Sequence, residues 1–272
     1  MSSLPDCASP PLVPAPPPIP AAIAATPVVA APRPPRTWYF VGTALFGLFV
    51  YVVQNLAEIA VVLALFIHSG AEQPQTPEQM RALLHNGGWM GMYVIVACPF
   101  VLGALWVPIR IARQKYSDYL ALRWPDRGEL ARGFALLAAF LVLSFILRTM
   151  FGQAIPAFMV ETYTSARAEG MLAFYVIGIC VAAPIVEEFW VRGFLFRGWS
   201  QSFLGPTGTI VLSSALWAGL HTQYNAFYMT QIFLLGLLFA TLRHRSGSTW
   251  LTVVLHGTYN VAAIIHVVLA VP

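Results

Sequence analysis

Residues 171–196, MLAFYVIGICVAAPIVEEFWVRGFLF, form an apolar run long enough to cross a hydrocarbon core of about 30 Å as a helix. Three charges, Glu187, Glu188 and Arg192, interrupt it. An ionised side chain near the bilayer centre costs roughly 2.5–3.5 kcal/mol on insertion scales, so a chain that keeps adjacent charges there has a use for them. The pair marks a candidate functional site.

The rest of the chain is of the same kind. It is 58% hydrophobic and 10% charged, with mean hydropathy +0.70, whereas a soluble domain carries about 25% charged residues. Apolar stretches of spanning length fall at about 38–68, 88–110, 131–151, 170–198, 207–228, 229–243 and 248–270. The expectation is an all-α, polytopic membrane bundle of about seven helices, with six and eight as the bounds. The weakest boundary lies between the fifth and sixth stretches, because Ser202–Phe239 is almost continuously apolar.

Residues 1–36 hold 12 of the 21 prolines and lack the apolar core and cleavage site of a signal peptide. They read as a disordered tail preceding a membrane domain over 37–272. Arg33, Arg36, Arg110, Arg113, Lys115, Arg123, Arg127, Arg132, Arg192, Arg197, Arg243 and Arg245 fall on alternate connections; Arg81, Arg148 and Arg167 fall on the others. The positive-inside rule then places the N-terminus in the cytoplasm and, with seven spans, the C-terminus outside. The net charge of +4 follows topology and does not point to nucleic acid. The connection over 110–132 interleaves aromatics with its basics and reads as a packed cytoplasmic connector. Cys7, Cys98 and Cys180 have no metal-type spacing and read as buried or packed thiols. An Ala/Pro-rich tail on a compact chain suits a bacterial, inner-membrane protein.

Other polar groups lie in the C-terminal spans: His221 in ALWAGLH, and His256 with Asn260 in HGTYN. Residues four apart share a helix face, so His256 lies above Asn260, Trp217 above His221, and Glu188 above Arg192. Glu187 is about 100° around the helix from Glu188, so the two carboxylates cannot face one point. Pairing of Glu188 with Arg192 as a brace leaves Glu187 for a polar cavity, though the opposite assignment stays open. One carboxylate, two imidazoles and a carboxamide suffice to add water to an amide, supplying a base and oxyanion donors. There is no GxSxG elbow, no persuasive Ser/His/Asp set, and the only cysteine near the pair is Cys180. Glu187, His221 and His256 would also be a three-ligand set for catalytic zinc, but the compact HExxH motif is absent. Gln54, Asn55 and Glu58 in the first span could line the same cavity, with helix packing as the first assignment, and His266 near the C-terminus lies about 80° around its helix from His256.

Three ordered motifs carry a resemblance. APIVEEFWVRGFLF (183–196) resembles the EExxxR segment of the CAAX prenyl protease and bacteriocin-processing (CPBP, or Abi) family of intramembrane proteases. ALWAGLH (215–221) resembles its FxxxH segment with Trp217 in place of Phe, a swap expected to matter little, and HGTYN (256–260) its HxxxN segment. The resemblance covers about 170–262. It implies an all-helical intramembrane fold with Glu187, His221, His256 and Asn260 around a cavity opening toward the membrane and cytoplasm. By it, Glu187 matches the catalytic base, His221 its assistant, His256 and Asn260 the oxyanion pair, and Glu188 and Arg192 supporting residues. The implied activity is endopeptidase cleavage of a membrane-associated peptide or lipidated protein, by a glutamate-activated water and without a cofactor, zinc being the alternative. Two rivals stand beside it. One is a non-catalytic immunity or binding protein on the same fold; the other is a proton-coupled transporter, against which the missing internal repeat counts.

Overall fold

The computed structural model describes residues 37–70 and 75–271; the Pro-rich segment 1–36 with Cys7, and hence the expected tail, lies outside the described residues. The described residues contain ten helices and no strand: α1 (Tyr39–Ser69), α2 (Pro77–Leu84), α3 (Gly87–Ile111), α4 (Tyr116–Tyr119), α5 (Arg127–Met150), α6 (Ala157–Ala168), α7 (Leu172–Ser200), α8 (Gly205–Gly219), α9 (Ala226–Ser246) and α10 (Thr249–Ala270). Six of them, α1, α3, α5, α7, α9 and α10, are long and apolar enough to cross a membrane. The protein is a multi-pass, all-α membrane bundle.

Its outer surface is lipid-like. Along α1, Val41, Leu45, Leu48, Val52, Leu56 and Leu63 recur every three or four residues, or a multiple of that, and all are exposed. That is the reverse of a soluble helix, whose apolar stripe faces the core. The buried interior forms instead where α3, α7, α8, α9 and α10 meet, around Leu105, Val191, Phe194, Leu235, Phe239 and Leu255.

Hydrogen bonds define the two ends of the bundle. At one rim Thr37 reaches Gln201 at 3.2 Å, the Trp38 indole donates to Pro108 O at 3.1 Å, and Thr249 N donates to Ala121 O at 3.0 Å. Arg110, Arg113, Lys115, Arg123, Arg127, Arg132, Arg197, Arg243 and Arg245 belong to this rim, at the ends of α3, α7 and α9 and around the start of α5. At the other rim Arg81 pairs with Glu161 at 3.1 Å, Asn86 donates to Glu169 at 2.6 Å, and Tyr228 OH donates to Ala154 O at 2.7 Å. It holds Arg81, Arg148 and Arg167. The connection after α3 is packed as expected: Tyr119 and Leu120 are fully buried, and Thr249 Oγ1 donates to Leu120 O.

The fifth and sixth spans differ from expectation. The break falls at 220–225 and not at 228–229, giving α8 fifteen residues and α9 twenty-one. Asn225 makes the break: its side chain caps α9 by accepting from Tyr228 N at 3.1 Å. At about 1.5 Å per residue α8 is only about 22 Å long. Yet the chain passes from the basic rim at Ser200 to the opposite rim at Asn225 along it, so seven passes join the rims and six are long, apolar helices.

Candidate active site

The Glu187–Glu188 pair sits on a helix that is not uniformly α. In α7 two π-helical stretches, Gly178–Ala182 and Phe189–Leu195, flank the α-helical Ala183–Glu188. Such wide turns are rare and recur at functional sites, because they release backbone carbonyls from the i−4 ladder. Here the carbonyls find side chains of other helices. Asn260 Nδ2 donates to Ile179 O at 2.8 Å, and Arg243 Nε donates to Arg192 O at 3.1 Å. Pro184, with no N–H, removes the donor that Cys180 O would otherwise have. The backbone of α10 closes on that point at Gly257, where an added Cβ would lie 2.6 Å from Cys180 O.

These turns split the pair. Glu188 is fully buried; its Oε1 accepts from Arg192 NH1 at 3.1 Å and from His256 Nδ1 at 2.9 Å. Arg192, also fully buried, lies over the Trp217 ring at 4.3 Å and near Phe239 at 5.9 Å. A carboxylate can only accept, so His256 Nδ1 carries the proton and the ring presents Nε2. Glu188 is therefore more than the partner of Arg192: it fixes the ring of His256.

Glu187 points elsewhere. Its Oε2 accepts from the Trp217 indole at 2.6 Å, and it lines a cavity of about 750 Å³ together with Trp217, His221, His256 and Asn260. Trp217 and His221 come from the C-terminal end of α8, where terminal carbonyls lack helical partners. His221 Nδ1 donates to one of them, Trp217 O, at 2.7 Å, which leaves Nε2 as an acceptor. The four residues expected at the reacting centre thus line one cavity, with Glu188 and Arg192 sealed behind it.

Three expectations need correction. Trp217, expected to matter little in place of Phe, donates its indole N–H to Glu187, a contact that Phe cannot make. Gln54, Asn55 and Glu58 of α1, for which packing is the first assignment from sequence and cavity lining the alternative, line the cavity, and so does His266. Asn260 spends one amide N–H on the α7 backbone, so it clamps two helices and has a single N–H to spare. Hydrophobicity could not have shown these contacts; the clue was the density of polar groups on α1.

The cavity floor is formed by buried Trp190, Trp217, Gln231, Leu235 and His256; its other end reaches Leu84, Arg148, Pro156 and Gln223. Those last residues belong to the rim poor in Lys and Arg. An opening toward the cytoplasm and a cytoplasmic basic rim therefore do not both hold. As for zinc, Glu187, His221 and His256 share the cavity but do not converge: among the described residues no group of three His, Cys, Asp or Glu side chains is placed to hold a metal ion.

A polytopic bundle thus holds carboxylate, imidazole and carboxamide groups around one cavity. Residues 169–262, about a third of the chain, match the family model for type II CAAX prenyl endopeptidase Rce1-like proteins. The match contains all three motifs and agrees with the family they resemble. No curated protein and no solved structure matches the chain.

Proposed function

We propose that this protein is an intramembrane endopeptidase that hydrolyses a peptide bond in a membrane-associated protein or peptide, using a water activated by Glu187. The observation that carries the reading is the unequal treatment of two adjacent carboxylates. Glu188 is buried and neutralised by Arg192, whereas Glu187 faces a large cavity with a single indole donor on Oε2.

The step follows from the donors present. Glu187, with Oε1 left for water, takes a proton as the water oxygen attacks the carbonyl carbon, and His221 Nε2 accepts from the same water. Negative charge moves onto the carbonyl oxygen. The spare N–H of Asn260 donates to it, while Glu188 holds the His256 ring beside it through Nδ1–H. Collapse of the tetrahedral adduct expels the amine, which receives the proton held by Glu187.

The walls supply the substrate class. Tyr93, Tyr175, Tyr224, Tyr228, Tyr259 and Phe158 line the cavity, a surface for an apolar peptide segment or a lipidated one. The positive-inside rule, applied to the basic rim, supports an N-terminus in the cytoplasm. The cavity mouth, at the opposite rim, then faces outward, and substrate enters from that side or laterally from the bilayer.

The test is peptide cleavage by purified protein beside Glu187→Ala and His221→Ala. Undiminished cleavage by both variants sinks the assignment. A cellular phenotype that survives Glu187→Gln would favour the binding or immunity reading.

A further inference from the structure

We propose that Glu58 and Gln54 hold the hydrolytic water against Glu187 in a chamber behind the main cavity, which makes Glu58 a positioning residue of the reaction. This rests on the endopeptidase reading above.

Glu58 is the intramembrane carboxylate that the step leaves unused. It lies in α1, eleven residues from the helix end at Ser69, and among the described residues no ion pair reaches it. Its hydrogen bond is to its own helix, from Gln54 Nε2 at 3.0 Å. Asn55 likewise bonds its own helix, at Tyr51 O. Neither ties α1 to a neighbour, so the packing role that most often explains a polar group in a membrane helix is missing.

What Glu58 does adjoin is Glu187. With Gln54 the two carboxyls bound a chamber of about 40 Å³ otherwise walled by Val94, Ala97, Ala183 and Val186. A buried water needs roughly 10–15 Å³ of such space and typically makes about three hydrogen bonds. The chamber exceeds that volume, and Gln54, Glu58 and Glu187 are the polar groups in its lining. Tyr93, from α3, is the further titratable side chain near Glu58.

Hydrolysis gives this site its use. Each turnover consumes one water, whose oxygen goes to the new carboxyl group and whose protons go to the carboxyl and amine products. An apolar substrate filling the main cavity displaces solvent there. Glu187, like Gln54 and Glu58, stands in both walls, so a water kept in the chamber stays within its reach.

The test measures kcat and KM separately for a fluorogenic peptide, using the purified full chain and the variants Glu58→Leu, Glu58→Gln and Gln54→Leu. Glu58→Leu is expected to lower kcat by about tenfold or more with KM unchanged, and Gln54→Leu to lower it by less. Glu58→Gln, which still binds water, is expected to recover most of the loss. Wild-type kcat in Glu58→Leu overturns the proposal, as does a change confined to KM. If that variant does not fold, unchanged kcat in Gln54→Leu overturns it instead. Glu187→Ala is the control: if it cleaves normally, Glu187 is not the base and the reading on which the chamber rests fails; if it is inactive beside a fully active Glu58→Leu, only the chamber fails.

Discussion

The indole of Trp217 donates to Glu187 Oε2 at 2.6 Å while its ring face carries the Arg192 guanidinium at 4.3 Å. One side chain thus positions the proposed base and covers the buried ion pair next to it. The contact joins α8 to α7 at the point where the chemistry is placed.

Trp217→Phe keeps an aromatic face for Arg192 and deletes the donor. A hydrogen bond to a charged group contributes about 1.5–3 kcal/mol, so kcat/KM is expected to fall by roughly 10- to 150-fold with the melting temperature little changed. Steady-state kinetics with a thermal melt in detergent checks both halves.

Removing one partner of the sealed pair has a different signature. Arg192→Met leaves Glu188 buried and unpaired except for His256, and breaking such a pair costs about 3–5 kcal/mol. The expected result is a large drop in melting temperature together with lost cleavage, and a thermal melt of the detergent-solubilised variant reads it.

Gly257→Ala tests the close approach of α10 to α7. Its Cβ would stand 2.6 Å from Cys180 O, a backbone atom that cannot rotate away. The helices must separate, moving His256 and Asn260 with α10; lower melting temperature and lower kcat are expected together. Gly103→Ala, whose Cβ meets open space, is expected to be neutral and serves as the comparison.

Acid sensitivity is expected at the rim opposite the basic one. The hydrogen bond from His85, with Arg81 beside it, holds the Glu161 carboxyl below its ordinary range. A lowered folded value means stability that is present above the unfolded value, about 4.3 for Glu, and lost as pH falls through the folded one. Glu161 is partly exposed, so the effect is small. Melts from pH 6 down to about 3 are expected to show a shallower decline in Glu161→Gln than in wild type.

What could be read from sequence was what is local. Glu188 and Arg192 stand four apart on one helix, so their pairing follows from helical geometry, and the apolar runs give the six long spans directly. The Asn260–Ile179 contact joins residues 81 apart and depends on a carbonyl freed by a π turn, which hydrophobicity does not encode. The α8–α9 break was hidden because the segment is apolar throughout, although Asn225 before Ala226 is an ordinary cap signal. On α1, Glu58 and Gln54 looked like packing groups because a one-helix view cannot show that their partner space is a cavity shared with Glu187.

The central claim is that Glu187 activates the water that cleaves a peptide bond. Its most direct measurement is the turnover rate of the purified wild type against Glu187→Gln, with products identified by mass spectrometry. The account predicts one defined cleavage by wild type and a loss of about 10²–10⁴-fold in the variant, the range of a general base. Glu187→Gln turning over at the wild-type rate with the same product would contradict it.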